Sequence, residues 1–268
     1  MKKTILGSIL AGAFVTAMAV GAQAEEIKFG VAAEPYPPMS SKDASGTWVG
    51  WEIDMMNAVC DELKKADAAT TCTLVETAWD GIIPSLQEKK IDVIWSSMTI
   101  TDKRKLEIDF TTFYYDSPSV IIGAKSDTTQ LDVNNPASAE GKVFGAQTST
   151  IHADFVTAKF GSVAEVKVYD TLDNAIADLA AGAVDYLQEG KSSFQQFLNS
   201  DRGKDFEIKI PVPQDSIMGY GVGGGVRKED TALRDRLSAA IGAVVASGKW
   251  DEITAKWPDV GELVKPGA

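Results

Sequence analysis

Residues 79–104 read WDGIIPSLQEKKIDVIWSSMTITDKR. An amphipathic segment that begins at Trp79 precedes a short apolar run, Ile91 to Trp95, which is typical of a buried strand. Serine and threonine residues then crowd a turn before Arg104. A strand that leads through hydroxyl residues into a helix start presents free backbone N–H groups and the positive end of the helix dipole. An arginine fork beside them predicts a carboxylate-binding site.

The same segment contains no nucleophile–base pair and no cluster of metal ligands. A catalytic site needs such groups within hydrogen-bonding reach of one another. The segment therefore predicts binding of a small molecule that carries an anionic group, without catalysis, metal or cofactor.

Strand-like and helix-like stretches alternate along almost the whole chain. The predicted strands are 26–33, 73–75, 91–95, 120–124, 143–146, 166–169 and 184–187. Apolar stripes at helical spacing lie between them, and Thr171 precedes one as an expected N-cap. This alternation predicts α/β architecture with parallel sheets, whose ligands bind beyond the carboxyl ends of the strands.

Two stretches are expected to cross between lobes, Tyr114 to Pro118 and Gln214 to Gly225. The second ends in a glycine run that lacks the Gly-Lys-Ser/Thr of a phosphate-binding loop, which argues against nucleotide binding. A chain that leaves one lobe and later returns makes a two-crossing hinge. The predicted division is 25–115 with 219–268 as lobe 1 and 116–218 as lobe 2.

The first 24 residues are predicted to be a cleaved signal peptide. Lys2 and Lys3 precede an apolar run, Ile5 to Val20, and Ala22-Gln23-Ala24 has the form of a cleavage site. A membrane anchor is disfavoured because the run is short. Without the peptide, the 26 basic residues fall to 24 against 38 acidic ones, a net charge of −14. This balance argues against partnership with nucleic acid or anionic lipid.

Cys60 and Cys72 are the two cysteines of the chain. In an exported protein an even pair favours a disulfide. A catalytic thiol or a metal ligand is the alternative, disfavoured because the only histidine, His152, lies far away in sequence and no Cys-x-x-Cys occurs.

Eight short stretches stand in order along the chain: YPPM (36–39), VGWEID (49–54), WDGIIPSL (79–86), IDV (91–93), SSMTITDKR (96–104), IDF (108–110), AAGAVD (180–185) and VRKED (226–230). Together they resemble the periplasmic polar-amino-acid-binding proteins of ABC importers, bacterial solute-binding family 3, especially its lysine/arginine/ornithine- and histidine-binding members. The resemblance implies two Rossmann-like α/β lobes, the periplasmic binding protein type II fold, closing over one amino acid about a two-crossing hinge. It further implies a monomer that delivers a polar or basic amino acid to a membrane permease and its ATPase.

The resemblance also implies residue roles. Arg104 would pair bidentately with the ligand α-carboxylate, helped by the N–H groups of Thr99 and Thr150. Ser97 would accept from the α-ammonium group. Tyr36 and Trp79 would sandwich the ligand side chain by apolar or cation–π contact.

Two acidic residues depart from the family pattern. Relatives carry an acid for the α-ammonium five positions after the aspartate that matches Asp185, where this chain has Gly190 and places Glu189 one residue early. Either Glu189 takes the role through a one-residue shift, or the ammonium lacks a charged partner. Glu34, two residues before Tyr36 rather than three, is the candidate for reading a basic side chain.

Two rival functions remain from other classes. Exported cyclohexadienyl (prephenate/arogenate) dehydratases also resemble this family, and such an enzyme needs a general acid, for which Glu189 or Glu34 could serve. The third hypothesis, a sensory domain of a membrane receptor, is disfavoured because no later apolar stretch is long enough to span a bilayer.

Overall fold

The computed structural model describes residues 25–267, so the predicted signal peptide lies outside the described residues. The strands are β1 (Glu26–Ala32), β2 (Ser41–Lys42), β3 (Trp48–Val49), β4 (Thr71–Thr77), β5 (Val93–Ile94), β6 (Asp109–Tyr115), β7 (Ser119–Ala124), β8 (Val143–Gln147), β9 (Glu165–Tyr169), β10 (Tyr186–Gly190), β11 (Phe206–Val212) and β12 (Val222–Val226). The helices are α1 (Trp51–Ala66), α2 (Ile82–Gln87), α3 (Asp102–Lys105), α4 (Ile151–Phe160), α5 (Leu172–Ala180), α6 (Lys191–Leu198), α7 (Thr231–Ala246) and α8 (Lys249–Lys256). No helix within 25–267 combines the length and apolarity needed to cross a bilayer.

The strands form two five-stranded sheets and one small hairpin. The first sheet has the order β4-β1-β5-β12-β6 and the second β11-β7-β10-β8-β9. The α/β prediction is confirmed, but the prediction of purely parallel sheets is wrong. β12 runs antiparallel to β5 and β6, and β7 runs antiparallel to β10 and β11. Each reversed strand enters its sheet from the other lobe, so it starts at the end where its neighbours finish.

The chain passes between the sheets at 116–118 and again at 213–221. The two passages are tied together because Gln214 donates from Nε2 to the Asp116 carboxylate at 2.8 Å. Val264, near the end of the described chain, exchanges two main-chain hydrogen bonds with Asp116, of 2.8 and 3.1 Å. Three segments therefore lie side by side at the hinge.

Glycines shape the second passage and the strand after it. Gly219 and Gly221 adopt φ of 66° and 65°, and a Cβ on Gly219 would lie 2.2 Å from the Ile100 carbonyl oxygen. A side chain there would be strained and would clash. Residues 223–225, predicted to belong to the crossing, are instead buried in β12.

Each lobe has its own aromatic core. In the first, the Trp95 and Tyr114 rings stack at 4.2 Å and Trp51 packs beside Tyr114. In the second, Phe144 stacks on Phe160 at 4.8 Å. All five side chains are buried. Two separately packed cores allow the lobes to move as units about the hinge.

Cys60 in α1 and Cys72 in β4 form a disulfide with a Cα–Cα distance of 6.2 Å. Neither cysteine lines the cavities between the lobes. Because the bond closes a short loop, its reduction should lower the free energy of unfolding by ~2–3 kcal/mol. Thermal melts with and without reductant measure this effect, and ligand affinity at room temperature should not change. Two free thiols, found by mass spectrometry in protein purified without reductant, would contradict the assignment.

Candidate functional site

A cavity lies between the two sheets, where the loops after β1, β4 and β5 face the carboxyl ends of β8 and β10. The structure brings all eight predicted binding residues to this cavity: Glu34, Tyr36, Trp79, Ser97, Thr99, Arg104, Thr150 and Glu189. Gln147, Ile151 and His152 join them. The location agrees with the general rule that α/β sheets bind ligands beyond the carboxyl ends of their strands.

Arg104 lies in the short helix α3, whose start is capped by the Thr101 side chain. Its Nη1 donates to the Thr99 carbonyl at 2.9 Å, and its guanidinium carbon lies 5.6 Å from the Trp79 ring centre. No carboxylate within residues 25–267 forms an ion pair with it, and burial lowers the pKa of Arg104 to about 10. A desolvated, unneutralised guanidinium favours an incoming carboxylate.

Main-chain N–H groups from both lobes adjoin this arginine. Thr150 caps α4, because its Oγ1 accepts from the Ala153 N–H at 3.1 Å. The N–H groups of Thr99 and Thr150 have no hydrogen-bond acceptor in the described part of the chain. Ser97 and Ser149, one in each loop, hold left-handed backbone conformations with φ of 52° and 59°. Such conformations concentrate at sites where the backbone is shaped for a ligand.

Ser97 is held by a buried acid that the sequence reasoning missed. Glu52, in the first turn of α1, is completely buried and accepts from the Ser97 N–H at 2.6 Å and the Ser97 hydroxyl at 2.9 Å. The Tyr114 hydroxyl also donates to Glu52, and burial raises the pKa of this carboxyl group. Because the Ser97 proton points at Glu52, Ser97 Oγ offers only lone pairs to the cavity. It can accept from an ammonium group.

Glu52→Gln should weaken ligand binding about fivefold, or ~1 kcal/mol, the value of one ordinary hydrogen bond. The amide nitrogen of the new side chain donates to Ser97 Oγ and occupies one of its two lone pairs. The hydroxyl proton then no longer points at this side chain, and it disfavours an ammonium group in the cavity. Calorimetry measures the change. Asp61→Asn, an exposed change on the same helix, is the control. Equal affinities for wild type and Glu52→Gln would contradict this role for Glu52.

Glu189 brings its carboxylate into the cavity at the end of β10, while Gly190 follows as the residue before α6. Its Oε1 accepts from the Tyr36 hydroxyl at 3.1 Å and the Gly190 N–H at 2.8 Å. His152 Nε2 also contacts Oε1. Oε2 has no partner within 25–267. The Glu189 residue is 1% exposed, and burial together with its charge raises the pKa of Tyr36.

His152 was missed because it lies far from the predicted arginine loop in sequence. Its position two residues after Thr150, in the first turn of a helix that begins at the cleft, is the signal that could have identified it. The imidazole is the only one in the chain and lies against Glu189. It joins the site as a third titratable group beside Glu189 and Arg104.

Glu34 has a structural contact as well as a place in the cavity. Its carboxylate oxygens accept from the Trp79 N–H at 3.4 and 3.2 Å, which fixes the turn that carries the indole. Asp80, another acidic residue in the same turn, is exposed and lies outside the cavity. Glu34 is therefore the acid at the aromatic end of the site.

The two lobes touch across the cleft, so this structure is a closed form. Trp79 Nε1 donates to the Thr148 carbonyl at 3.2 Å, and Arg104 Nη2 donates to the Ser149 carbonyl at 3.4 Å. At the exposed mouth, Lys103 forms an ion pair with Asp154 at 2.8 Å. Each contact joins the first sheet's loops to the helix start after β8.

Residues 25–267 contain no group of three or more His, Cys, Asp or Glu side chains placed to hold a metal ion. The cavity instead combines one unpaired guanidinium, two free N–H groups, one serine acceptor, a buried carboxylate and two aromatic rings. This set is suited to holding a small zwitterion by hydrogen bonds.

The sequence has relatives of known class. Bacterial extracellular solute-binding proteins, family 3, match over residues 27–260. The histidine-binding periplasmic protein of Salmonella typhimurium strain LT2 is 36% identical over 263 residues, 97% of this chain and 98% of that protein. The lysine/arginine/ornithine-binding periplasmic protein of Escherichia coli K12 is 35% identical over the same length, with the same coverage.

The fold also has solved counterparts. The structure of a Salmonella typhimurium periplasmic binding protein with high arginine specificity aligns at a TM-score of 0.76 and 28% identity, covering 87% of this chain and 99% of that chain.

Proposed function

The chain belongs to family 3 of the bacterial extracellular solute-binding proteins, and we propose that it binds a polar amino acid between its lobes and delivers it to the permease of an ABC importer. One observation carries this proposal: the Arg104 guanidinium, which has no ion-pair partner within residues 25–267, and the buried Glu189 carboxylate face the same cavity. Opposite charges placed in this way complement the carboxylate and the ammonium of one zwitterion.

In the proposed complex, Arg104 and the N–H groups of Thr99 and Thr150 bind the α-carboxylate. Glu189 Oε2 and Ser97 Oγ accept from the α-ammonium. Because these groups come from both lobes, a ligand makes its full set of contacts only in the closed form. Ligand binding then stabilises closure.

The ligand side chain is proposed to lie between Tyr36 and Trp79 and to point towards Glu34. Two aromatic faces attract a cationic group as well as an apolar stem. A carboxylate at the end of this slot favours a basic side chain. The names of the histidine- and lysine/arginine/ornithine-binding relatives support the same class.

We further propose a periplasmic, monomeric protein that is exported by residues 1–24 and acts without a cofactor. The lobes are proposed to close as 25–115 with 219–268 against 116–218, in agreement with passages between the sheets at 116–118 and 213–221. The permease and ATPase are the expected partners, since the relatives belong to ABC transport systems.

Calorimetry against the free L-amino acids tests the proposal. We expect one-to-one binding of at least one of arginine, lysine, ornithine, histidine or glutamine. Absence of binding to every amino acid, together with turnover of prephenate, would replace the proposal with a dehydratase. Such an enzyme would use Glu189 or Glu34 as its general acid.

A further inference from the structure

A second cavity, of about 250 Å³, continues from the first towards the hinge. Both cavities are lined by Ser97, His152 and Glu189, together with Tyr36, Thr99 and Ile151. Ser97 and Glu189 are the proposed acceptors for the α-ammonium group. The second cavity therefore opens on the side of the ligand where its α-nitrogen lies, away from the slot between Tyr36 and Trp79.

The second cavity is lined by neutral polar groups together with apolar side chains such as Val212, Met218 and Val222. Four side-chain hydroxyls line the second cavity but not the first, those of Tyr115, Ser117, Ser119 and Ser192. Gln214 adds an amide and Asp116 a carboxyl group whose pKa is raised by burial. No lysine or arginine of residues 25–267 lines it. Beside Asp116 and Glu189 a second carboxylate would be repelled, whereas hydroxyl groups find both donors and acceptors.

His152 lies between the two cavities. The residue is 9% exposed and lines both of them. Its Nε2 contacts Glu189, which places the ring beside the proposed acceptors of the α-ammonium group. A substituent on the α-nitrogen would therefore pass the edge of this ring as it enters the second cavity.

We propose that the ligand is an amino acid whose α-nitrogen carries a polyhydroxylated alkyl group, as in the secondary amine formed between an amino acid and a sugar. This rests on the proposed function and specifies its ligand. A secondary ammonium keeps its charge and two N–H groups, one for Glu189 Oε2 and one for Ser97 Oγ. The hydroxylated chain occupies the second cavity, where the hydroxyls of Tyr115, Ser119 and Ser192 are its hydrogen-bond partners. An N-acyl group would remove the charge that Glu189 recognises.

Calorimetry with matched pairs tests this assignment. Each pair is a free amino acid and its α-N-(1-deoxyfructosyl) derivative, with arginine, lysine, histidine or glutamine as the amino acid. An N-(1-carboxyethyl) derivative serves as the anionic probe. We expect the deoxyfructosyl derivative to bind at least tenfold more tightly than its free partner, and the anionic derivative to bind more weakly than the deoxyfructosyl one.

Variants in the second cavity locate the effect. Ser192→Leu fills this cavity from α6 without touching the first, and Gln214→Phe fills it from the exposed hinge passage. Each should remove the tenfold advantage and leave the affinity for the free amino acid within about twofold. Gln196→Leu, an exposed change on α6, should change neither value.

The outcomes separate the two proposals. A free amino acid that binds as tightly as its derivative, or better, overturns the second-cavity assignment and leaves the proposed function intact. If the anionic derivative binds more tightly than the deoxyfructosyl derivative, the proposal of a polyhydroxylated substituent is wrong. If the deoxyfructosyl derivative still binds tenfold more tightly than the free amino acid in folded Ser192→Leu and Gln214→Phe proteins, its substituent does not occupy the second cavity. If no member of any pair binds, both proposals are overturned.

Discussion

Arg104→Ala should nearly abolish ligand binding, with a loss on the order of 2–5 kcal/mol, the usual cost of removing one partner of a buried charge pair. The guanidinium is desolvated and forms no ion pair within 25–267. Its only direct contacts with acceptors are the Thr99 and Ser149 carbonyls. The protein therefore loses little stability when the side chain is removed, and the ligand carboxylate loses its charged partner.

Calorimetry and a thermal melt separate these two effects. Arg104→Lys should also bind poorly, because a point charge cannot reproduce the bidentate fork. Lys105→Ala is the matched control, since this exposed lysine of the same helix pairs with Asp102 of that helix rather than across the cleft. Unchanged affinity in a folded Arg104→Ala protein would disprove the carboxylate assignment.

Glu189→Gln should weaken an amino acid by ~1.5–3 kcal/mol, the range for a hydrogen bond to a charged group. The substitution keeps the volume and removes the charge opposite the ammonium. The amide can still accept from the Tyr36 hydroxyl and the Gly190 N–H, which the carboxylate does at 3.1 and 2.8 Å. The fold should therefore be retained.

Dissociation constants from calorimetry measure the loss. Glu207→Gln, a more exposed glutamate on β11, removes the same charge from the same lobe and should leave the constant unchanged. If Glu189→Gln also leaves it unchanged, the ligand is recognised through its carboxylate and side chain alone.

The arginine loop was predictable from sequence because its parts are adjacent in the chain. A strand, hydroxyl residues and Arg104 stand within 79–104, and local rules describe how they fold. Glu52 was not predictable in its role, since it reaches Ser97 from α1 through tertiary packing. His152 and Glu189 likewise meet only when α4 and β10 pack together.

The direction of the strands could not be predicted from the alternation of strand-like and helix-like stretches either. Alternating strands and helices do not reveal which strands return from the other lobe, so the parallel direction predicted for the strand at 120–124 is wrong, and β12 was not predicted as a strand. The glycines of β12 carry no side chains and hence show no periodicity, although the strand is fully buried. A periodic pattern shows which side chains face the core and which face solvent, and three consecutive glycines have no side chains to form such a pattern.

The ion pair between Lys103 and Asp154 bears on how quickly a bound molecule escapes. Both side chains are largely exposed, at 76% and 49%, so added salt screens their attraction within a Debye length of ~8 Å at physiological ionic strength. The contacts of Glu189 with Gly190 and His152 are buried, so salt screens them much less. A molecule held under both lobes leaves only when they part, so residence time should shorten as ionic strength rises. The rate of ligand transfer to a membrane partner would then depend on the exposed charges at the rim of the cleft. Ligand selectivity would depend on the groups inside the cleft that contact the ligand.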